Sequence, residues 1–200
     1  SQVEGVSVAE LMDSSGVSFG TSGARGLVTS MSDQLCYIYT GAFLSHLEQT
    51  GQIAEKIVAI GADLRPSSDR IARACRAAVL EREGYQAIDC GKISSPALAL
   101  FGQMKGIPTV MVTGSHIPDD RNGIKFTSPT GEITKDDEMG MRSQHVVDAL
   151  SLFTASGELR SPLASAVIDD SARMNYLQRY RDFFGEGFLA GMKLGIYQHS

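Results

Sequence analysis

The chain has 200 residues, of which 42% are hydrophobic and 20% are charged, a composition typical of a globular protein with one sizeable core. The net charge of −5 argues against a general nucleic-acid-binding or anionic-membrane surface, and no apolar run is long enough to cross a bilayer. Cys36, Cys75 and Cys90 lack paired metal-ligand spacing and leave one thiol unpaired, which predicts reduced cysteines and a cytoplasmic location.

The amino-terminal third of the chain alternates between strand and helix patterns. Residues 17–19 predict a short strand that leads into a glycine-rich turn over 20–26. A helix is predicted to start at Ser32 or Asp33, because either residue can cap it and apolar residues follow at helical spacing. Residues 57–60 then predict a buried strand.

The same alternation continues through the middle of the chain. A helix capped by Ser67 or Ser68 is predicted to end near Gly84. We predict further strands over 87–90, 107–112 and 124–126, a turn at 122–123, a helix over 96–104 and a long helix over 136–153. This rhythm predicts an α/β fold, a three-layer α/β/α sandwich with a mostly parallel mixed sheet.

The periodicity changes after this long helix. Residues 156–170 predict a linker, a helix rich in Tyr and Phe follows over 171–184, and a new strand is predicted over 193–197. We therefore expect one domain over 1–155 and the truncated beginning of a second domain over 171–200.

Ser115 is the leading candidate for chemistry, since it follows the strand over 107–112 at the end of the predicted sheet. A serine hydroxyl needs a base, a cation or a metal to act as a nucleophile. His116 is adjacent, but neighbouring strand residues point to opposite faces, so a direct hydrogen bond requires the loop to break strand geometry. The hydrolase elbow is absent because Ile117 replaces its second glycine. Alternatively, Thr113, Ser115 and His116 only cap a turn.

Lys125 and Arg25 are the two candidate cations. If the strand alternates, Ile124 and Phe126 face the core and Lys125 points toward the loop of Ser115, where it could supply charge and assist proton transfer. The alternative is an exposed lysine on an edge strand. Arg25 lies in the glycine-rich turn and offers a planar fork suited to phosphate, although this turn is neither a P-loop nor a dinucleotide motif.

Asp63 and Arg65 follow the predicted strand over 57–60, and we interpret them as an internal ion pair with a structural role. No set of His, Cys, Asp and Glu residues in the sequence has the spacing of metal ligands.

Four segments resemble motifs of the α-D-phosphohexomutase superfamily, and they cover roughly residues 17–130 in the family's order. They are 19–26 for Gly-Thr-Ser-Gly-x-Arg-Gly, 63–68 for Asp-x-Arg-x-Ser-Ser, 113–118 for Thr-Ala/Gly-Ser-His-Asn-Pro and 122–125 for Asn-Gly-x-Lys. Ile117 departs from the pattern by replacing asparagine. The serine within the first motif favours a phosphomannomutase or phosphoglucomutase over a phosphoglucosamine mutase.

The resemblance implies an isomerase that interconverts hexose 1-phosphate and hexose 6-phosphate, with mannose as the first choice of sugar and glucose as the second. Ser115 would carry phosphate and pass it to the sugar through a bisphosphorylated intermediate. Arg25 would stabilise the transferring charge, and Lys125 and His116 would assist proton transfer. The resemblance also implies Mg²⁺, with the phosphate on Ser115 as one ligand, and a hexose 1,6-bisphosphate activator.

The family has four domains, of which this resemblance places only the first completely within the chain. We therefore expect the isolated chain to be weakly active or inactive. Two other functions stay open from the residues alone, namely a serine-dependent phosphatase or hydrolase and a non-catalytic domain that binds sugar phosphates.

Overall fold

A computed structural model of the protein describes residues 5–20, 23–147, 150–161 and 163–197. The helices in these ranges are α1 (Val8–Ser15), α2 (Asp33–Gln49), α3 (Ser68–Leu80), α4 (Ser95–Lys105), α5 (Lys135–Arg142) and α6 (Ser171–Phe184). The strands are β1 (Val6–Ser7), β2 (Ser18–Phe19), β3 (Ala24–Leu27), β4 (Ile57–Ala62), β5 (Gln86–Lys92), β6 (Thr109–Val112), β7 (Arg121–Ser128), β8 (Gly131–Glu132) and β9 (His145–Val146). None of the described helices has both the length and the apolar character needed to span a membrane.

Seven of the described strands form one mixed sheet in the order β2-β3-β7-β6-β4-β5, with β8 paired to β7. The predicted α/β class and mixed sheet are confirmed. The parallel part is confined to β4 with its neighbours β5 and β6, while the remaining pairings are antiparallel. The antiparallel share is larger than expected because the loop between β6 and β7 is too short for a parallel crossover.

Helices cover both faces of the sheet. Along β6, Val110 and Val112 pack into the larger core with residues of α2 and α3, whereas Met111 packs into a smaller core with Phe101 of α4. This alternation explains why the middle strands are apolar on both sides, as expected for buried strands. It also leaves the loops at the carboxyl ends of β4 and β6 free to carry polar side chains.

The predicted start of α2 is confirmed. Ser32 caps the helix, and its hydroxyl accepts a hydrogen bond from the Leu35 N–H at 3.2 Å. Ser67 occupies the cap position of α3 without a side-chain cap hydrogen bond. The Ser68 hydroxyl donates instead to Asp63 at 2.5 Å, which ties α3 to the end of β4.

Three predicted elements are wrong. The long helix over 136–153 ends at Arg142, because Val146 pairs with Val6 in a two-stranded sheet and is buried there. The turn at 122–123 is part of β7, since both residues pair with β3. Residues 193–197 are not part of a strand, and they are exposed to solvent.

The last residues of the predicted linker lie beside β5, the edge strand of the sheet. Ile168 bridges Asp89 of β5, and the Asp169 N–H donates to the Asp89 carbonyl at 2.7 Å. Beyond it, α6 packs against α4 with Ala172 buried between them. The predicted bounds of α6 are confirmed, whereas β1 and α1 were not predicted from the sequence.

Candidate active site

Ser115 lies in the loop that joins β6 to β7. Its N–H donates to the Thr113 hydroxyl at 3.0 Å, and the Ile117 N–H donates to the Gly114 carbonyl at 3.0 Å, which closes a turn. Ser115 has a φ of 50°, in the left-handed region that residues other than glycine seldom adopt. This strained backbone presents an exposed Ser115 side chain at the carboxyl end of β6, and such outliers often occur at functional sites.

A cavity of about 150 Å³ lies beside Ser115. It brings Ser115 together with Arg25 and Lys125, which are far apart in the sequence. None of the described residues that line it is acidic. The lining residues are Ala24, Arg25, Ser95, Thr113, Ser115, Gly123, Ile124 and Lys125.

Strand register places the two cations on the same face of the sheet. Arg25 lies opposite Gly123 across the β3–β7 pair, and Lys125 follows two residues later on β7. Residues two apart on a strand face the same side, so both cations point toward the cavity. Ile124 and Phe126 are each 1% exposed on the other face, as the alternation predicts.

Lys125 is not an edge lysine, because β7 lies between β3 and β6. Its ammonium donates to the Glu132 carboxylate across the β7–β8 hairpin, and its side chain is only 24% exposed. Glu132 was not predicted from the sequence, although the Pro129-Thr130 turn between Lys125 and Glu132 indicates such a hairpin contact.

His116 meets Ser115 directly. Its Nδ1 lies 3.2 Å from the Ser115 Oγ, and the ring is exposed. The left-handed backbone of Ser115 breaks the strand geometry, which allows two neighbouring side chains to meet. No other described group forms a hydrogen bond with the His116 ring, so the arrangement lacks the third group that orients the base in a catalytic triad.

Asp63 anchors the loop from the end of β4. Its Oδ2 accepts from the Gly114 N–H at 2.9 Å, and its Oδ1 accepts from the Arg65 N–H at 3.0 Å. Burial acts to raise the pKa of Asp63, but the hydrogen bonds from Ser68, Arg65 and Gly114 outweigh it and lower the pKa below its usual value. Arg65 Nε lies 3.7 Å from Asp63 Oδ2, so the predicted internal ion pair is confirmed.

Two residues of the site were missed by the sequence reasoning. Asn122 is fully buried, and its side-chain amide donates to the hydroxyls of Ser67 at 2.8 Å and Ser68 at 2.9 Å. Ser95 lines the cavity at the first turn of α4, where helix N–H groups favour anions. The signal for Ser95 was present in Ser94-Ser95-Pro96, which is typical of a helix start that follows a strand.

Thr21 and Ser22, within the first family motif, lie outside the described residues.

Comparison with known families decides the assignment. A family model described as phosphoglucomutase/phosphomannomutase, alpha/beta/alpha domain I, matches residues 16–144. The chain belongs to this family.

Curated members of the phosphoglucomutase/phosphomannomutase family match most of the chain. A phosphomannomutase of Salmonella muenchen is 40% identical over 96% of this chain and 37% of its own length. A phosphomannomutase of Sinorhizobium fredii is 41% identical over 92% of this chain and 38% of its own length. A phosphoglucosamine mutase of Desulforudis audaxviator is 32% identical over 90% of this chain and 39% of its own length. The chain thus spans less than two fifths of the length of these relatives.

Solved structures agree on the fold. A crystal structure from Thermus thermophilus, provisionally described as a phosphomannomutase, superposes with a TM-score of 0.65 at 22% identity, over 84% of this chain and 36% of that one. A phosphoglucomutase/phosphomannomutase family protein from Burkholderia thailandensis gives a TM-score of 0.52 at 21% identity, over 71% of this chain and 32% of that one.

The described residues do not form a metal site by themselves. They contain no group of three or more His, Cys, Asp or Glu side chains placed to hold an ion. Hydroxyls and cations line the cavity beside Ser115, and hard cations such as Mg²⁺ prefer carboxylate and carbonyl oxygens.

Proposed function

We propose that this chain is the phosphoserine-bearing part of a phosphohexomutase, which interconverts hexose 1-phosphate and hexose 6-phosphate. The observation that carries the proposal is the cavity shared by Ser115, Arg25 and Lys125. The phosphomannomutases that match nearly the whole chain at about 40% identity support mannose as the sugar.

The proposed reaction uses Ser115 as a phosphate carrier. A phosphoryl group on Ser115 Oγ passes to the free hydroxyl of a hexose monophosphate, so the bond from Oγ to phosphorus breaks and a bond from the sugar oxygen to phosphorus forms. The sugar hydroxyl loses its proton in this step, and the product is a hexose 1,6-bisphosphate. After the bisphosphate turns over in the site, its other phosphate returns to Ser115 Oγ and leaves the isomeric monophosphate.

The cations of the site suit this chemistry. Phosphoryl transfer depends on positioned positive charge and in-line geometry more than on a strong base. Arg25 can bind two phosphoryl oxygens with its planar fork, and Lys125 adds a compact charge on the same face of the sheet. The first turn of α4 at Ser95 contributes a further favourable field for an anion.

Proton transfer is the role proposed for His116 and Lys125. His116 Nδ1 is within 3.2 Å of Ser115 Oγ, so it can take up the proton when Oγ is phosphorylated and return it when the serine is regenerated. The same contact is what a serine hydrolase would use. The lack of an orienting partner for His116 among the described residues favours the carrier role over the hydrolase.

Substrate recognition and metal binding extend beyond this chain in the proposal. The relatives are more than twice as long, and the described residues supply no metal site of their own. We propose that a phosphate on Ser115 is one ligand of Mg²⁺, that the remaining ligands lie outside the described residues, and that the protein acts in the cytoplasm. The isolated chain should then convert little or no mannose 1-phosphate.

We also propose that residues 171–200 begin a second domain after a linker over 156–170. Exposed apolar side chains support this division, since Phe183 is 81% exposed on α6 and Ile196 is 88% exposed beyond it. Large exposed apolar surfaces usually mark contacts with another domain or protein.

The test is an intact-mass measurement on the longest natural form of the protein, with and without glucose 1,6-bisphosphate. We expect a phosphate-sized increment that Ser115→Ala abolishes and that the control Ser14→Ala, an exposed serine of α1, retains. Wild type and Ser14→Ala, which accept phosphate, should convert mannose 1-phosphate to mannose 6-phosphate, and Ser115→Ala should not.

Three results would count against the proposal. An active protein with an unmodifiable Ser115 would exclude the phosphoserine. Release of inorganic phosphate with no bisphosphate would indicate a hydrolase instead. Binding of sugar phosphates without turnover in the longest form would indicate a non-catalytic domain.

A further inference from the structure

Arg65 makes an unusual set of contacts with the loop of Ser115. Its Nη1 donates to the carbonyls of Pro118 at 2.8 Å and Arg121 at 3.0 Å. Its Nη2 donates to the carbonyl of Ile117 at 2.6 Å and, more weakly, to that of Ser115 at 3.4 Å. One guanidinium thus satisfies carbonyl groups along the whole loop between β6 and β7.

These contacts occupy most of the donors that Arg65 could offer to a phosphate. A guanidinium has five N–H groups in a fixed plane, and four of them have carbonyl partners in this loop. The fifth is on Nε, which lies 3.7 Å from Asp63 Oδ2, a distance of an ion pair rather than of a hydrogen bond. The side chain is only 13% exposed and does not line the cavity of Ser115.

Gly114 is fitted to this guanidinium. A Cβ at position 114 would collide with the Nε and Cζ atoms of Arg65, so only glycine lets the loop backbone approach the arginine this closely. Asp63 completes the support, since its carboxylate accepts from the N–H groups of both Gly114 and Arg65. The residue just before the strained Ser115 is therefore held from two sides.

We propose that Arg65 is a positioning residue for phosphoryl transfer, an inference that rests on the proposed function. Its guanidinium holds residues 115–121 in the turn that keeps Ser115 at its left-handed φ and places the hydroxyl beside Arg25 and Lys125. A lysine cannot replace it, because one ammonium cannot reach carbonyls spread along the loop in a planar fork.

The first test measures how strongly the loop is held and requires no enzymatic activity. Hydrogen exchange of residues 115–121 is measured in the chain as it stands, for wild type, Arg65→Lys and Arg65→Ala, with Arg73→Ala, an exposed arginine on α3, as the control. We expect exchange in the loop to rise about tenfold or more in both Arg65 variants, with β4 and β5 unchanged. If Arg65→Ala does not fold, Arg65→Lys carries the test.

A second variant checks the contact itself. Gly114→Ala should loosen the loop in wild type, where the added Cβ meets Arg65, and should have a much smaller effect when Arg65 is already alanine. Equal effects in the two backgrounds would show that Arg65 does not hold the loop through Gly114.

The catalytic test uses the longest natural form. For Arg65→Lys we expect kcat to fall by about a hundredfold, because a small misplacement of the reacting group has an effect of that size, while KM changes little. Free guanidinium ion should restore part of the activity of Arg65→Ala. Ser115 should still accept phosphate, though more slowly.

Several outcomes would overturn the inference. The first is hydrogen exchange in the loop that is unchanged in both Arg65 variants. The second is exchange that rises as much in β4 and β5 as in the loop. The third is a rise in KM with no change in kcat. If wild-type Ser115 takes no phosphate but the loop still loosens in Arg65→Lys, the proposed function fails and Arg65 is only a structural residue. Phosphate uptake in wild type with an unaffected Arg65→Lys protein would instead refute the inference alone.

Discussion

Gly123 lies directly opposite Arg25 in the β3–β7 pair, and the absence of a side chain at 123 is what gives the arginine its path into the cavity. A Cβ at 123 would lie 3.0 Å from the Arg25 Cγ and 3.1 Å from the carbonyl oxygens of Ala24 and Thr113. The glycine of the Asn-Gly pair therefore serves the cation of the neighbouring strand rather than a turn.

Gly123→Ala should displace Arg25. Two of the three close neighbours are backbone atoms that cannot move away, so the arginine must shift, and we expect activity of the longest natural form to fall at least about tenfold with a stability loss of about 1–3 kcal/mol. Enzyme kinetics and urea unfolding measure the two effects. Gly195→Ala, where a Cβ meets nothing within 4 Å, is the matched control. Wild-type kinetics in Gly123→Ala would refute the crowding argument.

Ser115→Gly and Ser115→Ala should differ in stability although both remove the hydroxyl proposed to carry phosphate. At a φ of 50° glycine avoids the Cβ penalty that alanine retains, so we expect the glycine variant to be more stable by about 1 kcal/mol after allowing for its more flexible unfolded chain. Thermal unfolding of the chain provides the comparison. Equal melting temperatures would mean that the left-handed backbone of Ser115 stores no strain.

If the proposed function holds, Lys125→Met should lower turnover by about a hundredfold or more, because it removes a positive charge from the cavity in which the phosphoryl group would be transferred. Its packing cost should be small, since methionine keeps the aliphatic part of the side chain. Lys92→Met is the control, as Lys92 also pairs with a carboxylate, Asp69, but lies outside the cavity.

Glu132→Gln tests whether Glu132 only anchors the β7–β8 hairpin or also takes part in the reaction. Glu132 is 66% exposed, and exposed ion pairs contribute at most about 1 kcal/mol, so unfolding in urea should change little. If Glu132 only anchors the hairpin, turnover stays close to wild type. A loss as large as that of Lys125→Met would mean that the carboxylate itself takes part in the reaction.

Asp137 should stabilise the fold in a pH-dependent way. Its Oδ1 lies 2.9 Å from His46 Nε2, and its Oδ2 accepts from the Thr134 N–H at 2.7 Å. Burial acts to raise the pKa of Asp137, but the hydrogen bonds from Thr134 and His46 prevail and lower it to about 2.

The sign of this pH dependence follows from the pKa of aspartate in the unfolded chain, which is about 3.9. Because the folded pKa is lower, the stabilisation is complete above about pH 4 and is lost as the pH falls toward about 2. At about pH 5, urea unfolding should give Asp137→Asn a free energy of unfolding about 1 kcal/mol below that of wild type, after allowance for solvent screening. The difference between the two proteins should shrink as the pH falls. Asp136→Asn, an exposed neighbour in the same helical turn, is the control. A difference that is constant with pH would contradict the assignment.

Much of the fold could be predicted from the sequence because its determinants are local. Ser32 is a good helix cap wherever it precedes apolar residues at helical spacing, and it caps α2. The alternation of Ile124, Lys125 and Phe126 required the lysine to face away from the larger core, and it does. Where the local pattern was ambiguous, as over 136–153, long-range pairing of Val146 with Val6 decided against the helix.

For the site, the sequence by itself determined the candidate residues: a serine after a buried strand, and an arginine and a lysine in two other family motifs. Only the tertiary structure decided how they meet. Strand register set Arg25 beside Gly123, and the packing of β4 against β6 brought the Arg65 guanidinium to the carbonyls of the Ser115 loop. Such contacts join residues about 50 to 100 positions apart, and no local preference encodes them, because they form only when the whole sheet assembles.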